Sequence, residues 1–335
     1  MNPFKTSLKE KHAYLRPLSQ THSQYFEKLL SFNDFYLRSI KTLFQGLDTD
    51  FAKENAIVVV GSDARREKGG VSPFEIEIVS ENLLSGSCLE SHLRDFSQKT
   101  LTEELFDSIR AIKVPGTEPM YVTRFKRGEA GQFKYYATSR ILDARFVWGN
   151  MHLSDSLKEY FLTELQDATL KRKIYRRTQE RWKYHQTTTK TGVSHFKGKK
   201  IKQFDTESGI AYYDGNYENG FKQGPLRAVQ FALGRDLVDF FRNSDRPILG
   251  KKVFLESLSY NTVNRLFDLD VEGLLTLTDT ELDELTDSYK FFLWAYHSSQ
   301  VNFSENGLKE TPFDSNEVKQ RLSLVSRLTK KRLIK

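Results

Sequence analysis

A change in hydrophobic periodicity near residue 55 constrains the fold of this chain more than any other feature. Over residues 23–47, apolar side chains recur at intervals of three and four, which predicts an amphipathic helix with a break near Asn33. Residues 56–60 are instead a continuous, β-branched apolar run that ends at Gly61, a pattern typical of a buried strand leading into a turn. The chain must therefore build a sheet beside its helices.

A second strand is predicted over residues 74–79, where Phe, Glu, Ile, Glu, Ile and Val follow one another. Because successive side chains of a strand point to opposite faces, Glu75 and Glu77 share one face and the apolar residues between them share the other. Further strand-like runs follow at 120–125, 133–137 and 139–150, the last ending at Gly149.

The order of these patterns predicts an α+β fold in three parts. Residues 1–54 form an N-terminal helical region, residues 55–155 a small mixed-sheet domain and residues 156–335 a C-terminal helical domain. Helical periodicity is also expected over residues 91–112, inside the sheet domain. In the helical domain, residues 196–225 are rich in Gly, Asn and Lys and predict an inserted loop or hairpin.

The composition excludes several classes of protein. No apolar run approaches the roughly 20 residues that a membrane-spanning helix needs, so no membrane span is expected. The charged first 18 residues lack the apolar core of a secretory signal. The single Cys88 excludes an intramolecular disulfide framework and a Cys-rich zinc site. We therefore expect a cytoplasmic protein.

Positive charge is concentrated in residues 170–202. This segment has twelve Lys or Arg residues against one acid, Glu180, and its charge of +11 leaves −4 for the rest of a chain whose net charge is +7. Aromatic residues are interleaved with the basic ones, so the segment is either a phosphate-binding face, for RNA or nucleotide, or a solvated helix face with some buried aromatics.

The turn after the first strand has the composition of a phosphate-binding loop. Glycine allows the backbone to approach a ligand closely, and the exposed amide groups of Gly61 and Ser62 would suit phosphate oxygens. The alternative is an ordinary turn that ends a strand.

Paired carboxylates on the second strand suggest a metal site. Glu75 and Glu77 offer hard oxygen ligands for Mg²⁺, and a third acid from a neighbouring strand would complete a two-metal site. Asp143, which we expect to share a strand face with Arg145, is the best-placed candidate. The alternatives are a solvent-exposed edge strand for the two glutamates and a structural ion pair for Asp143.

Several segments resemble one family in the same order along the chain. GSDARREKGGVSPFEIE resembles the Gly-Ser, Arg-x-Glu and Asp-x-Asp signature of the polymerase-β-type nucleotidyltransferase superfamily, in the form found in bacterial protein-PII uridylyltransferases. RILDARFVWGNMHLSDSLKEYF is similar to its Leu-Asp-Ala-Arg segment, and KFFLWAYHSSQVNFSENGL to its Phe-Leu-Trp helix. ENGFKQGPLRAVQFALGRDL resembles a later segment through Asn219, Lys222, Gly224, Leu226, Arg227 and Gln230. The matches run from about residue 55 to residue 325.

The resemblance implies a small mixed-sheet nucleotidyltransferase domain flanked by helices. Its activity would be the transfer of a nucleoside monophosphate from a nucleoside triphosphate to a protein hydroxyl, by uridylylation or adenylylation, with release of pyrophosphate. The residues implied as catalytic and as ligands of Mg²⁺ or Mn²⁺ are Glu75, Glu77 and Asp143. Those implied to bind the nucleotide are Gly61, Ser62, Arg65, Lys222 and Arg227.

Three departures from the family pattern keep other functions open. Glu75 and Glu77 replace the two aspartates, Gly69 and Gly70 lengthen the loop, and Ala228 replaces a later aspartate. No His is followed by Asp, so the family's nucleotide-removing module is not implied. The alternatives are a catalytically inactive regulator that binds a nucleotide or a partner protein, and a nucleotidyltransferase that acts on RNA bound by residues 170–202. Arg65 and Glu67 either contact substrate or pair with each other to shape the loop.

Overall fold

A computed structural model describes most of the chain. The residues described are 15, 17, 20–45, 49–69, 76–80, 110–113, 121–126, 129–134, 141–196, 198–215 and 219–335. Helices and a mixed sheet are both present, which confirms the predicted α+β class. Among the described helices, none combines the length and the apolar character needed to cross a bilayer.

Ten helices occur within the described residues, and most lie after the sheet. Before and beside the sheet are α1 (His22–Phe44), α2 (Thr49–Glu54), the single turn α3 (Gly61–Ala64) and α4 (Met151–Glu164). The C-terminal part contains α5 (Ala168–Thr191), α6 (Pro225–Asn243), α7 (Ile248–Ser257), α8 (Thr262–Val271), α9 (Asp279–Asn306) and α10 (Ser315–Leu328).

The main sheet has six strands in the order β5-β4-β3-β2-β1-β6. These strands are β1 (Asn55–Val59), β2 (Ile76–Ser80), β3 (Arg110–Lys113), β4 (Tyr121–Lys126), β5 (Glu129–Lys134) and β6 (Arg145–Gly149). The β2–β3 pair is parallel and the other neighbours are antiparallel, so the sheet is mixed as predicted.

Two small antiparallel pairs of strands accompany the C-terminal helices. The first joins β7 (Val193–Phe196) to β8 (Lys199–Lys202), and the second joins β9 (Ile210–Tyr212) to β10 (Glu310–Pro312). The first pair is a hairpin that overlaps the start of the loop or hairpin predicted over residues 196–225, and Gly198 in its turn has a φ of +78°.

Both faces of β1 are buried, and different helices cover them. Ile57 and Val59 face one apolar cluster with the C-terminal half of α1. Val58 and Val60 face the larger cluster, which includes α4 and the C-terminal helices. A strand buried on both sides explains why residues 56–60 are apolar without alternation.

Three local predictions differ from the structure. α1 runs unbroken past Asn33, whose buried amide donates to the carbonyl oxygens of Leu29 at 2.8 Å and Lys68 at 3.1 Å and so ties the helix to a loop. Of the helix expected over 91–112, only the last residues are described, and they belong to strand β3. Asp143 lies in a turn before β6, so it shares no strand face with Arg145.

Candidate functional site

The candidate site begins where β1 ends. Gly61 has a φ of +59°, a left-handed conformation that favours glycine, and it starts the single helical turn α3. The amide of Arg65 donates to the Gly61 carbonyl at 3.1 Å, and the amide of Glu67 donates to the Ser62 carbonyl at 2.9 Å. The predicted turn after a buried strand is thereby confirmed. We call residues 61–69 the β1 loop.

Glu67 fastens the β1 loop to three helices. Its Oε1 accepts a hydrogen bond from the amide of Thr262, at the start of α8, at 3.1 Å. Its Oε2 accepts from the Tyr289 hydroxyl on α9 at 2.8 Å and from the Gln230 amide on α6 at 3.2 Å. The same oxygen accepts from Arg65 Nε at 2.9 Å. Since both oxygens accept hydrogen bonds and the side chain is 1% exposed, Glu67 holds the loop in place.

Asp143 lies between two guanidinium groups. Its Oδ2 accepts from Arg65 Nη1 at 2.6 Å, and its Oδ1 accepts from Arg265 Nη1 on α8 at 2.9 Å. Arg265 is itself oriented by a 2.7 Å bond from its Nε to the carbonyl of Ser259. The carboxylate is therefore part of a buried ion-pair network that joins the β1 loop to the turn before β6 and to α8.

The carboxylates of this network keep the guanidinium group of Arg65 charged. Burial alone would lower the pKa of Arg65, but the carboxylates of Glu67 and Asp143 raise it well above its ordinary value. Burial, followed by the charge of Glu67, raises the pKa of the Tyr289 hydroxyl well above its ordinary value. Tyr289 thus acts as a neutral hydrogen-bond donor at neutral pH.

Glu77 lies on β2, the strand beside β1 in the sheet. It pairs with Val58 on β1 and is 1% exposed, on a strand between β1 and β3. The solvent-exposed edge strand considered above is therefore wrong for this residue. Because a strand rises roughly 3.3 Å per residue, Val58 places Glu77 about 10 Å along β1 from Gly61. Glu75 lies outside the described residues.

Lys222 and Arg227 lie at the start of α6, on either side of its N-terminus. The ammonium group of Lys222 is 5.5 Å from the centre of the Tyr296 ring, and Arg227 Nη1 donates to the Gln223 side chain at 3.3 Å. Gln230, one turn beyond Arg227, reaches Glu67. The structure therefore brings the α6 start to the β1 loop.

A buried histidine connects this region to α1. The Nδ1 atom of His297, on α9, shares a 2.7 Å hydrogen bond with the Tyr25 hydroxyl. The His297 ring also lies so close to Gly69 that a Cβ atom there would be 2.6 Å from the ring atom Cδ2. Burial, with smaller contributions from the charges of Lys222 and Lys68, lowers the pKa of His297 to about 3. Lys68 is also buried, with its Nζ 3.7 Å from Asp63 Oδ1.

Sequence reasoning missed the residues that support the site. Arg265, Tyr289 and His297 come from helices 122 to 272 residues away from the partners they contact. No local pattern distinguishes them from ordinary helix residues. The signal for Glu67 was present in its Arg-x-Glu spacing with Arg65, and the alternative in which that pair shapes the loop agrees with the geometry.

The described part of the site fits a divalent cation poorly at Asp143. Each oxygen of Asp143 accepts from a guanidinium group, and the two positive charges oppose a cation placed beside them. Within the portion of the chain that the structure describes, no three His, Cys, Asp or Glu side chains are grouped so as to hold a metal ion. Asp143 therefore has the geometry of a positioning residue.

The site combines a left-handed turn at the end of a buried strand with an anchored loop and basic residues at the start of α6. The chain has no significant match among protein-family models or among curated proteins. The chemistry of its own residues is thus the basis for assigning a function.

Proposed function

We propose that the chain is a nucleotidyltransferase that binds a nucleoside triphosphate at the β1 loop and transfers its nucleoside monophosphate to a protein hydroxyl. The observation that carries this proposal is the anchored β1 loop: Glu67 and Asp143 tie it to the helices that carry Gln230, Thr262 and Arg265. A rigid loop that presents backbone amides is the preorganised element that phosphoryl chemistry requires.

Basic residues support a triphosphate at this position. Lys222 and Lys68 are close enough to His297 for their charges to lower its pKa. The His297 ring contacts Gly69, the last residue of the β1 loop. Lys222 and Arg227, on either side of the start of α6, would neutralise phosphate charge at the β1 loop, which the same helix reaches through Gln230.

The reaction follows from an ordinary displacement at phosphorus. The acceptor hydroxyl oxygen forms a bond to the α-phosphorus, and the bond from that phosphorus to the oxygen bridging it to the β-phosphate breaks. Pyrophosphate leaves with the bonding electron pair, and the hydroxyl proton passes to solvent. Glu67 and Asp143 serve to position the loop and its arginine rather than to accept that proton.

A divalent cation belongs to the proposal through the paired glutamates. Glu75 and Glu77 would hold Mg²⁺ or Mn²⁺, which would supply neutralisation of phosphate charge. Asp143 is not proposed as a ligand, because Arg65 and Arg265 occupy its oxygens.

A transfer assay tests the activity. The purified protein is incubated with each α-³²P-labelled nucleoside triphosphate, with Mg²⁺ or Mn²⁺, and with a lysate treated or untreated with RNase. We expect label on a protein band that survives RNase, abolished in Glu75→Gln/Glu77→Gln and retained in the exposed control Glu272→Gln/Glu305→Gln. Label that disappears with RNase would identify RNA as the acceptor.

The engagement of Asp143 by two arginines favours one second candidate, a catalytically inactive nucleotide-binding regulator. Binding of the triphosphates, weakened by Lys222→Gln/Arg227→Gln and unaffected by Lys309→Gln, together with no transferred label under any condition, would select it. Absence of both binding and label would exclude the nucleotide site altogether.

A further inference from the structure

A second basic region lies away from the β1 loop, between the C-terminal ends of α5 and α10. The indole of Trp182 on α5 donates to the carbonyl oxygen of Thr329, just after α10, at 3.1 Å, and so joins α5 to the end of α10. Lys190 in the last turn of α5 and Lys330 just after α10 line an open surface cavity of about 420 Å³, which we call the α5–α10 cavity. Its volume lies within the range of small-ligand sites, roughly 300–1,000 Å³.

Four cationic side chains line the α5–α10 cavity, together with the hydroxyl groups of serine and threonine residues. The cations are Lys190, Lys319, Arg327 and Lys330. Among the residues that the structure describes, no acidic side chain lines it. A lining of ammonium, guanidinium and hydroxyl donors is suited to an anion with several acceptor oxygens.

Acids outside the cavity compensate only two of these cations. Lys319 Nζ is 2.6 Å from Glu207, and Arg327 Nη1 is 3.3 Å from Glu281. Lys190 and Lys330 form no ion pair with any acid among the described residues, although both are exposed. Their charges are therefore available to a ligand.

The two uncompensated lysines line the same cavity, close enough for their charges to interact. The charge of Lys330, followed by a direct side-chain contact with it, lowers the pKa of Lys190. Like charges in contact repel, and an anion placed between them would remove that repulsion.

The helix dipole explains why a lysine lies at each of the two helix ends. It does not explain why their side chains approach each other. Lys190 lies in the last turn of α5 and Lys330 two residues beyond α10, where a cation interacts favourably with the helix dipole. That interaction would be satisfied equally if the side chains diverged into solvent. Their approach over a cavity is the feature that requires a further explanation.

We propose that the α5–α10 cavity binds a phosphate group, held between Lys190 and Lys330. The phosphate belongs either to a small anion, such as inorganic phosphate or pyrophosphate, or to the backbone of a single-stranded RNA. The site is separate from the β1 loop and does not depend on the nucleotidyltransferase proposal.

The cavity also borders the start of α6. The Cα atom of Thr189, in the cavity lining, lies within 3.4 Å of the position that a Cβ atom on Gly224 would take. One turn earlier on α5, His185 Nδ1 is 2.6 Å from the carbonyl oxygen of Gln223. An occupied cavity would thus lie one helix away from the basic residues at the β1 loop.

Binding measurements on a charge-removing variant test the site. Inorganic phosphate and pyrophosphate are titrated by calorimetry, and a fluorescent single-stranded RNA by anisotropy, into the wild-type chain and Lys190→Gln/Lys330→Gln. The matched control is Lys183→Gln/Lys200→Gln, which removes two exposed lysines of the same basic segment outside the cavity. Circular dichroism establishes that each variant is folded.

We expect the cavity variant to weaken binding of the phosphate ligand by about tenfold or more, since each lost charge-assisted hydrogen bond is worth about a factor of ten. The control should retain wild-type affinity for a small anion. If RNA supplies the phosphate, the cavity variant should also reduce the slope of log affinity against log salt by about 1.4 for two lost contacts.

A measurement on the wild type alone provides a second test. The pKa of Lys190, followed by NMR of lysine side chains, should rise when phosphate or RNA is added, because the anion neutralises Lys330 beside it. No binding of any of the three ligands, or binding that the cavity variant and the control weaken equally, would overturn the proposal. An unchanged pKa of Lys190 at saturating ligand would do the same.

Discussion

The role of Asp143 depends on which residues surround its carboxylate in the folded protein. In the sequence, Asp143 lies within a strand-like run and resembles a metal ligand. In the structure, its side chain is 8% exposed and lies between Arg65 and Arg265. A buried ion pair of this kind gains little over a well-packed apolar replacement, yet removing one partner leaves uncompensated charge in the interior. Its contribution is to hold the β1 loop against α8.

We therefore expect Asp143→Asn to destabilise the protein strongly. The substitution leaves the buried guanidinium group of Arg265 without a carboxylate partner and leaves Arg65 with Glu67 alone, which should lower the free energy of unfolding by about 3–5 kcal/mol. Chemical denaturation measures the loss. Asp50→Asn, which breaks a fully exposed pair with Lys53, should leave the free energy of unfolding almost unchanged. Similar losses for both variants would contradict the buried network.

At the scale of elements, Asn261, the residue immediately before α8, connects that helix to the β1 loop. The side chain of Asn261 accepts from the amides of Val263 and Asn264, which caps the helix, and its Nδ2 donates to the carbonyl of Arg65 at 3.0 Å. One side chain therefore satisfies donors at a helix start and an acceptor in the loop, so the helix and the loop are ordered together.

Asn261→Ala should affect both partners of this contact. We expect a loss of about 0.5–2 kcal/mol from the cap, and a further loss of about 1 kcal/mol from the bond to the loop. Hydrogen exchange in residues 61–69 should become faster. Thr278→Ala removes the capping box of α9 without touching the β1 loop and serves as the control. Equal exchange in the two variants would show that Asn261 does not order the loop.

At the scale of the whole molecule, His297 lies where three separate parts of the chain meet. Its ring contacts Tyr25 on α1 and Gly69 at the end of the β1 loop, while the residue itself belongs to α9. Burial first, and then the charges of Lys222 and Lys68, lower its pKa to about 3. The neutral imidazole is thus part of the folded core.

Stability should fall on acidification because of this residue. In the unfolded chain His297 takes up a proton near pH 6.5, whereas in the folded chain it does so only near pH 3. Between these values the unfolded state binds one more proton, so the free energy of unfolding decreases by about 1.4 kcal/mol per pH unit as pH falls. Its contribution is complete above pH 6.5 and is lost toward pH 3.

Denaturation curves from pH 7 to pH 4 check this slope. His297→Gln should remove it, and the exposed control His152→Gln should preserve it. A wild-type slope that persists in His297→Gln would assign the acid sensitivity to other groups.

Local patterns in the sequence were sufficient for much of the secondary structure. The apolar run before Gly61, the alternation around Glu77 and the helical periodicity of the C-terminal part each depend on neighbouring residues, and they predicted β1, the strand that contains Glu77, and the helical character of the C-terminal part. Local periodicity misjudged Asn33 because its amide finds a partner in the distant β1 loop, which satisfies it inside an unbroken helix.

The sequence by itself therefore determined the α+β class, the turn at Gly61 and the concentration of positive charge in residues 170–202. Tertiary structure alone decided that Asp143 faces two arginines, one of them 122 residues away, and that Lys190 meets Lys330 over a cavity. The physical reason is that secondary structure follows from side chains a few positions apart, whereas burial and charge pairing depend on which distant helices pack together.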